Sequence, residues 1–311
     1  MTARFGLGLA ALGRPAYITL GRSDDLGARD PDARSVEALE ARTHAMLDAA
    51  WGAGVRYVDA ARSYGYAERF LGTWLAAHPG RREELTIGSK WGYAYVGAWD
   101  LDAPVQEAKE HSLARFEAQW PESLAALGTR PDVYLVHSVT PDSPALRDAA
   151  LLDSLGALAA TGVRVGISTS GPAQGDVLDA ARSLPATPFS IVQATWNLLE
   201  PSVEGALARA YEAGWLVVVK EALANGRLTA RGDVPGLSEL AADDGQSVDA
   251  FALGAALAQP WADVVLSGAV TGEQLRSNLA ARPPRVGGDV VADLAEEPAR
   301  YWAERAALPW G

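Results

Sequence analysis

Short apolar runs of strand length recur along the chain at about residues 5–9, 56–59, 85–89, 132–136, 163–168, 190–193, 215–219 and 262–266. Longer stretches with helical spacing of apolar positions separate them, for example at 36–53, 67–77, 145–160, 202–213 and 248–258. In the last of these, Val248, Phe251, Ala252 and Ala255 fall on one face, and Gln259-Pro260 ends the pattern. Strands alternating with helices predict parallel pairing through right-handed crossovers. Eight such units predict an α/β chain folded as a (β/α)8 TIM barrel, with residues 1–311 forming a single domain. The rival is a doubly wound open sheet, which wants a glycine-rich phosphate loop after an early strand. The segment GLGLAALG at 6–13 lacks the third glycine at the required spacing and reads as a tight turn.

Two connections are long for a compact domain: 14–34, rich in Gly, Pro and Asp, and 91–104, which carries Trp91, Tyr93, Tyr95 and Trp99. In a barrel both follow strands and overhang the face where active sites lie. The tail from 289 to 311 reads as one helix followed by an irregular end, with Trp302 and Trp310 in it. No internal repeat, low-complexity tract or interdomain linker is evident. The formal charge of −12 opposes approach to nucleic acid and to anionic lipid, so neither is expected as a partner. The absence of cysteine removes disulfides, thiol catalysis and thiolate metal sites, and no metal ligand set is assigned. The apolar start is broken by Gly6, Gly8 and Gly13 and reads as mature structure, no segment has the length to span a bilayer, and the expected location is cytoplasmic. Oligomeric state is not legible.

Asp59 closes the second apolar run, Tyr64 follows five residues later, and Lys90 and His137 close the next two. Taken singly, each has an ordinary structural reading: a helix cap, a turn, a solvated strand end, a satisfied core histidine. Parallel barrel strands deliver their C-terminal ends to one rim, which brings the four together. A phenol, with a pKa of about 10, is a poor acid or base near neutrality. An adjacent ammonium is expected to lower it, and a carboxylate beside the lysine to keep that lysine charged and fixed. With an imidazole to orient a carbonyl oxygen, the set suits proton delivery while hydride arrives at carbon from a cofactor. The chain has only three lysines, Lys90, Lys109 and Lys220, against 24 arginines. Genomic coding bias explains most of that imbalance, but a lysine kept at a strand end suits a need for a compact, tunable ammonium.

The segments GVRYVDAARSYGYAERFLG at 54–72, LTIGSK at 85–90, DVYLVH at 132–137 and VGIS at 165–168 resemble the aldo-keto reductase family, in the family's order and over nearly the whole chain. The resemblance implies an NAD(P)H-dependent oxidoreductase that reduces an aldehyde or ketone to the alcohol, or runs in reverse. Tyr64 would be the general acid, Lys90 its tuner, Asp59 the partner of the lysine, and His137 the group that orients substrate. The implied cofactor is NADP, with NAD the alternative, held by Ser168, Thr169, Gln193, Lys220, Leu223, Asn225, Arg231, Gly268, Gln274 and Asn278. Trp91 and Tyr93 would line the substrate pocket, with Tyr17, Trp196 and Trp302 as further aromatic candidates, for a small-molecule carbonyl or alcohol. Three positions depart from the family pattern. Thr169 stands where an asparagine is usual, Lys220-Glu221 stand where an aromatic or small residue leads into Ser-Pro-Leu, and Gly268 and Ala269 stand in place of a lysine and serine that grip the 2′-phosphate. Arg276 is the nearby cation that would replace them. Lys220 either covers the nicotinamide with its alkyl stem, its charge turned toward Glu221, or forms a purely structural pair.

Two other functions fit the same barrel. One is a nicotinamide-nucleotide-binding regulatory subunit with vestigial catalysis, as in the channel-associated branch of that family; the retained catalytic residue types argue against it. The other is a lyase or isomerase using Lys90 as a Schiff base, which the neighbouring carboxylate disfavours by keeping the amine protonated.

Overall fold

The computed structural model describes residues 4–27, 30, 32–285 and 292–311; the remainder of the long connection at 28–29 and 31, and the start of the expected tail at 289–291, lie outside the described residues. Among the described residues there are ten strands: β1 Arg4–Gly8, β2 Tyr57–Asp59, β3 Thr86–Trp91, β4 Tyr93–Tyr95, β5 Glu107–Lys109, β6 Val133–Val139, β7 Arg164–Thr169, β8 Ile191–Thr195, β9 Leu216–Lys220 and β10 Val264–Ser267. The helices are α1 Arg22–Asp25, α2 Val36–Gly52, α3 Ala67–Ala77, α4 Arg81–Glu84, α5 Leu113–Leu127, α6 Ala149–Ala160, α7 Gln174–Arg182, α8 Glu204–Glu212, α9 Leu237–Asp244, α10 Val248–Leu257, α11 Gly272–Leu279 and α12 Pro298–Ala307. Eight strands close a parallel barrel in the order β1-β10-β9-β8-β7-β6-β3-β2, so the expected (β/α)8 TIM barrel is what the chain forms. The open-sheet rival falls with that closure.

The barrel follows from the two periodicities. A strand alternates its side chains, so in β2, β6, β8, β9 and β10 every second residue points inward. Tyr57, Val133, Leu135, Ile191, Val218, Val264 and Leu266 form one buried cluster that fills the barrel floor. One pleat further along the same faces come Asp59, His137, Gln193 and Lys220. The alternation that packs the floor therefore aims these polar groups into the mouth. Outside, the helices bury their apolar stripes against the opposite strand faces in two larger clusters. Several helices start on a side-chain cap, each contributing about 1 kcal/mol: Ser35, Ser112, Asp148, Ser247 and Thr271 accept the backbone N–H three residues on.

The connection at 91–104 is more ordered than its composition predicts. Its aromatic start forms β4, which pairs antiparallel with β5 as a small separate sheet over the rim. Beyond it, α5 runs through Pro121, which sits on the exposed face of the helix, where the carbonyl that proline leaves free is open to solvent. No helix among the described residues is long and apolar enough to cross a membrane.

Candidate active site

The rim of β2, β3 and β6 carries the four opening residues into one hydrogen-bonded chain. Lys90 Nζ donates to Asp59 Oδ2 at 2.5 Å, to the Ala60 carbonyl at 3.0 Å and to Tyr64 Oη at 3.2 Å. Tyr64 Oη lies 3.5 Å from His137 Nε2, and the two rings meet edge to face at 5.4 Å. Gln193 reaches across the barrel from β8 and donates to the other Asp59 oxygen at 2.8 Å. Both Asp59 oxygens are thus held, and the lysine they orient is wholly buried behind the tyrosine. Tyr64 owes its place to a close approach of backbones: a Cβ on Gly13 would lie 2.3 Å from the Tyr64 carbonyl, and Tyr66 N–H donates to the Gly13 carbonyl. Of the glycine segment at 6–13, expected to be a tight turn, residues 6–8 complete β1 and only the stretch ending at Gly13 is the turn that seats this loop.

Electrostatics assign the protonation states. Burial pushes the Tyr64 phenol well above its ordinary value, Asp59 and Glu107 add to the rise, and Arg14 opposes it. This reverses the direction expected from the neighbouring ammonium: enclosure and the carboxylates Asp59, Glu107 and Glu221 outweigh Arg14. Tyr64 is held as the neutral acid. Burial, followed by Lys90 and Lys220, drives the His137 imidazole well below its ordinary value, so it is neutral. Burial also lowers the Lys90 ammonium, and Asp59 works against that loss.

His137 is braced from behind. Its carbonyl receives His111 Nε2 at 2.7 Å, which fixes the proton on that nitrogen and leaves Nδ1 to accept from Ser143 Oγ at 2.6 Å. Burial and Lys109 lower His111 to about 4, so this brace is neutral too. After His137 the strand breaks register, with Ser138 at a φ of 54°, and Ser168 Oγ accepts the Ser138 N–H at 2.7 Å.

A cavity of about 640 Å³ opens from Tyr64 and His137 and crosses the barrel mouth to the start of α11. On its wall are Asp59, Gln193, Tyr93, Lys220, Leu223, Asn225, Arg231, Gly268, Gln274 and Asn278 from the sequence reading. Ser168 and Thr169 are not on that wall: both are fully buried, Ser168 under Ser138 and Thr169 against Gln174 at 3.4 Å. Trp91 is not on it either, since its alternate position on β3 turns the indole outward against Phe116 at 5.2 Å. Trp196 packs on Trp261 and Trp302 donates to Glu200, both away from the cavity. Lys220 Nζ donates to Thr195 Oγ1 at 2.7 Å and stands 3.6 Å from Glu221, which also pairs with Arg305 of α12. Burial, with Arg305 and Lys90 adding, lowers Lys220 to about 8 despite Glu221.

Sequence reasoning missed Arg14, Glu107, Arg305 and Trp310 on the same wall. Arg14 is buried, donates to Glu107 at 2.7 Å and to the Ser63 carbonyl at 3.1 Å, and lies about 5 Å from the ring centres of Tyr17, Tyr64 and Trp310. The signal for Arg14 was its place in the first long connection. Glu107 and Arg305 carry none, because only the folding of β5 and α12 brings them to the rim. At the opposite end, Asp25 accepts from both guanidinium nitrogens of Arg231, at 2.6 and 2.7 Å, and from Gln274 at 2.7 Å, tying three separate segments together.

A closed barrel with this rim places the chain among the barrel oxidoreductases of carbonyl and alcohol groups. The model of the aldo/keto reductase family matches residues 27–295, and the chain belongs to that family. Its fold is similar to that of a glycerol dehydrogenase from Gluconobacter oxydans, at 22% identity and a TM-score of 0.67, over 94% of this chain and 91% of the other. It is equally similar to an aldo-keto reductase from Bacillus halodurans, solved in holo form, at 18% identity and a TM-score of 0.66, over 98% and 92% of the two chains. An uncharacterized 11.2 kDa protein in the crtE 3′ region of Pseudescherichia vulneris is 37% identical over 62 residues, which are 17% of this chain and 60% of that protein.

Proposed function

We propose that the chain is a one-domain, NAD(P)H-dependent reductase of aldehydes or ketones, equally able to oxidise the alcohol, with Tyr64 as the acid and base. The observation that carries this reading is the chain Asp59–Lys90–Tyr64–His137, closed by Gln193 and opening on a single long cavity. The cavity fits a dinucleotide. It leads from the tyrosine across the mouth to polar groups of β9, β10 and α11, and on its wall Asn225 Oδ1 is buried with no partner among the described residues. That acceptor suits a hydroxyl or carboxamide donor. Gln193, Lys220, Leu223, Asn225, Arg231, Gly268, Gln274 and Asn278 would hold the nicotinamide nucleotide, which supplies the hydride.

The side chains account for the proton. A carbonyl oxygen between Tyr64 Oη and His137 Nε2 is polarised by two neutral hydrogen-bond donors, and Tyr64 delivers its proton as negative charge develops on that oxygen. The resulting phenolate is stabilised by the Lys90 ammonium at 3.2 Å, which Asp59 keeps in place. Run backward, the same phenolate removes the proton of an alcohol. Tyr93, with Arg14 and Glu107 beyond it, forms the substrate wall, aromatic on one side and charged on the other.

The purified protein is expected to oxidise a reduced nicotinamide nucleotide only when a carbonyl compound such as an activated aryl aldehyde is added, with no borohydride-trapped adduct on Lys90. Nucleotide binding with no turnover on any carbonyl supports the regulatory-subunit reading instead. Turnover without nucleotide and a trapped lysine support the Schiff-base reading.

A further inference from the structure

The two ends of the cavity differ in charge. At the chemistry end, Arg14, Lys220 and Arg305 face Glu107 and Glu221, so cations and carboxylates are mixed. In the barrel order β10 lies opposite β6, and beyond it, toward α10 and α11, the wall changes. Among the described residues its ionisable groups are Asp25, Asp249, Glu273 and one cation, Arg231. Both guanidinium nitrogens of Arg231 are taken by Asp25, so that charge is matched inside the protein. Asp249 and Glu273 remain. Asp249 is held toward the cavity by the Asn278 amide at 3.0 Å, in the orientation that lets the other amide atom accept from Ser267 Oγ. Arg276, three residues beyond Glu273, lies on the exposed side of α11 and is not on the wall. Beside Gly268 the space is open: a Cβ there would meet nothing within 4 Å.

We infer that the far end of this cavity selects NADH over NADPH, through the carboxylates of Asp249 and Glu273. The inference rests on the nicotinamide-cofactor reading above and reverses the NADP expectation that the resemblance carries. A ribose with a free 2′-hydroxyl has a proton to donate, and a carboxylate accepts it. A 2′-phosphate carries roughly −1.5 to −2 near neutral pH and has acceptor oxygens only. Placed against two carboxylates, with no unmatched cation among the described wall residues, it meets like charge, most strongly from the half-buried Asp249. Arg231 does not rescue it, because turning to the phosphate would strip Asp25 of its partner and add a third carboxylate.

The test is a tryptophan-fluorescence titration of the purified full chain with NADH and NADPH, repeated on Glu273→Gln and on the double variant Glu273→Gln, Asp249→Asn. The expected result is a Kd for NADH at least tenfold below that for NADPH, with the ratio narrowing stepwise toward unity in the two variants as NADPH tightens. Glu273 is exposed, so its single variant is expected to fold even if the double variant does not. NADPH binding as tightly as NADH to the unaltered chain, or a ratio that the exposed-site variant leaves unchanged, overturns the inference while leaving the reductase reading intact. Failure of both nucleotides to bind the unaltered chain overturns both.

Discussion

At the scale of single residues, the proton machinery is a set of buried charges that stabilise one another. Lys90 is fully enclosed and Asp59 nearly so, and each lacks water to replace the other. Removing one partner of such a pair leaves an uncompensated charge, at a cost of about 3–5 kcal/mol. Lys90→Met is therefore expected to lower stability by about that amount in denaturant unfolding. In the fraction that folds, it should slow carbonyl reduction by about 100-fold or more. A stable, fully active Lys90→Met protein would show that the lysine is neither a structural partner nor a stabiliser of the phenolate. The meeting of Asp59, Tyr64, Lys90 and His137 was legible because strand alternation and parallel pairing are local rules. The protonation of Tyr64 was not. Its shift depends on enclosure and on Glu107, a residue 43 positions away that only the β4–β5 sheet delivers.

At the scale of elements, all eight barrel strands were readable, with bounds within a residue or two except at the end of β6, which runs three residues further, since buried parallel strands are apolar on both faces. The β4–β5 sheet was not, because its strands are half-buried or exposed and lack the apolar run that marks the barrel strands. Nor could phase alone show that Trp91 faces away from the cavity while Lys90, its neighbour, faces in. That requires knowing which face of β3 meets the barrel axis. The clamp between β9 and α12 was half legible: Glu221 stood out as a departure from pattern, but its partner Arg305 did not. Burial works to raise the Glu221 carboxyl, yet Arg305 and Lys220 together outweigh it and hold the group at about 2. The folded-state pKa is depressed below the ordinary 4.5, so its stabilisation is present above that value and is lost as pH falls from about 4.5 through about 2. That contribution is on the order of 3 kcal/mol. Thermal unfolding followed between pH 6 and 2 is expected to show a steeper acid decline for the unaltered chain than for Glu221→Gln. Parallel curves would mean that this pair does not couple α12 to the barrel.

At the scale of the whole molecule, one fold supplies two kinds of environment at one mouth. The β2–β3–β6 side encloses a lysine, a tyrosine and a neutral histidine so tightly that their protonation is set by the protein. The side beyond β10, toward α10 and α11, is open, polar and acidic. Between them lies one continuous cavity of about 640 Å³, which the proposed reading fills with a dinucleotide, its reactive end against the tyrosine. A net charge of −12 leaves little electrostatic attraction for an anionic ligand, so on the proposed reading a nucleotide would be held by local donors and not by the overall field. The central claim is that Tyr64 gives the proton and does not hold the cofactor. It is tested most directly by measuring nucleotide affinity and carbonyl-reduction kcat together in Tyr64→Phe. The account predicts a Kd within a few-fold of the unaltered chain and a kcat reduced by about 100-fold or more. A kcat within a few-fold of the unaltered chain, at intact nucleotide binding, would contradict it.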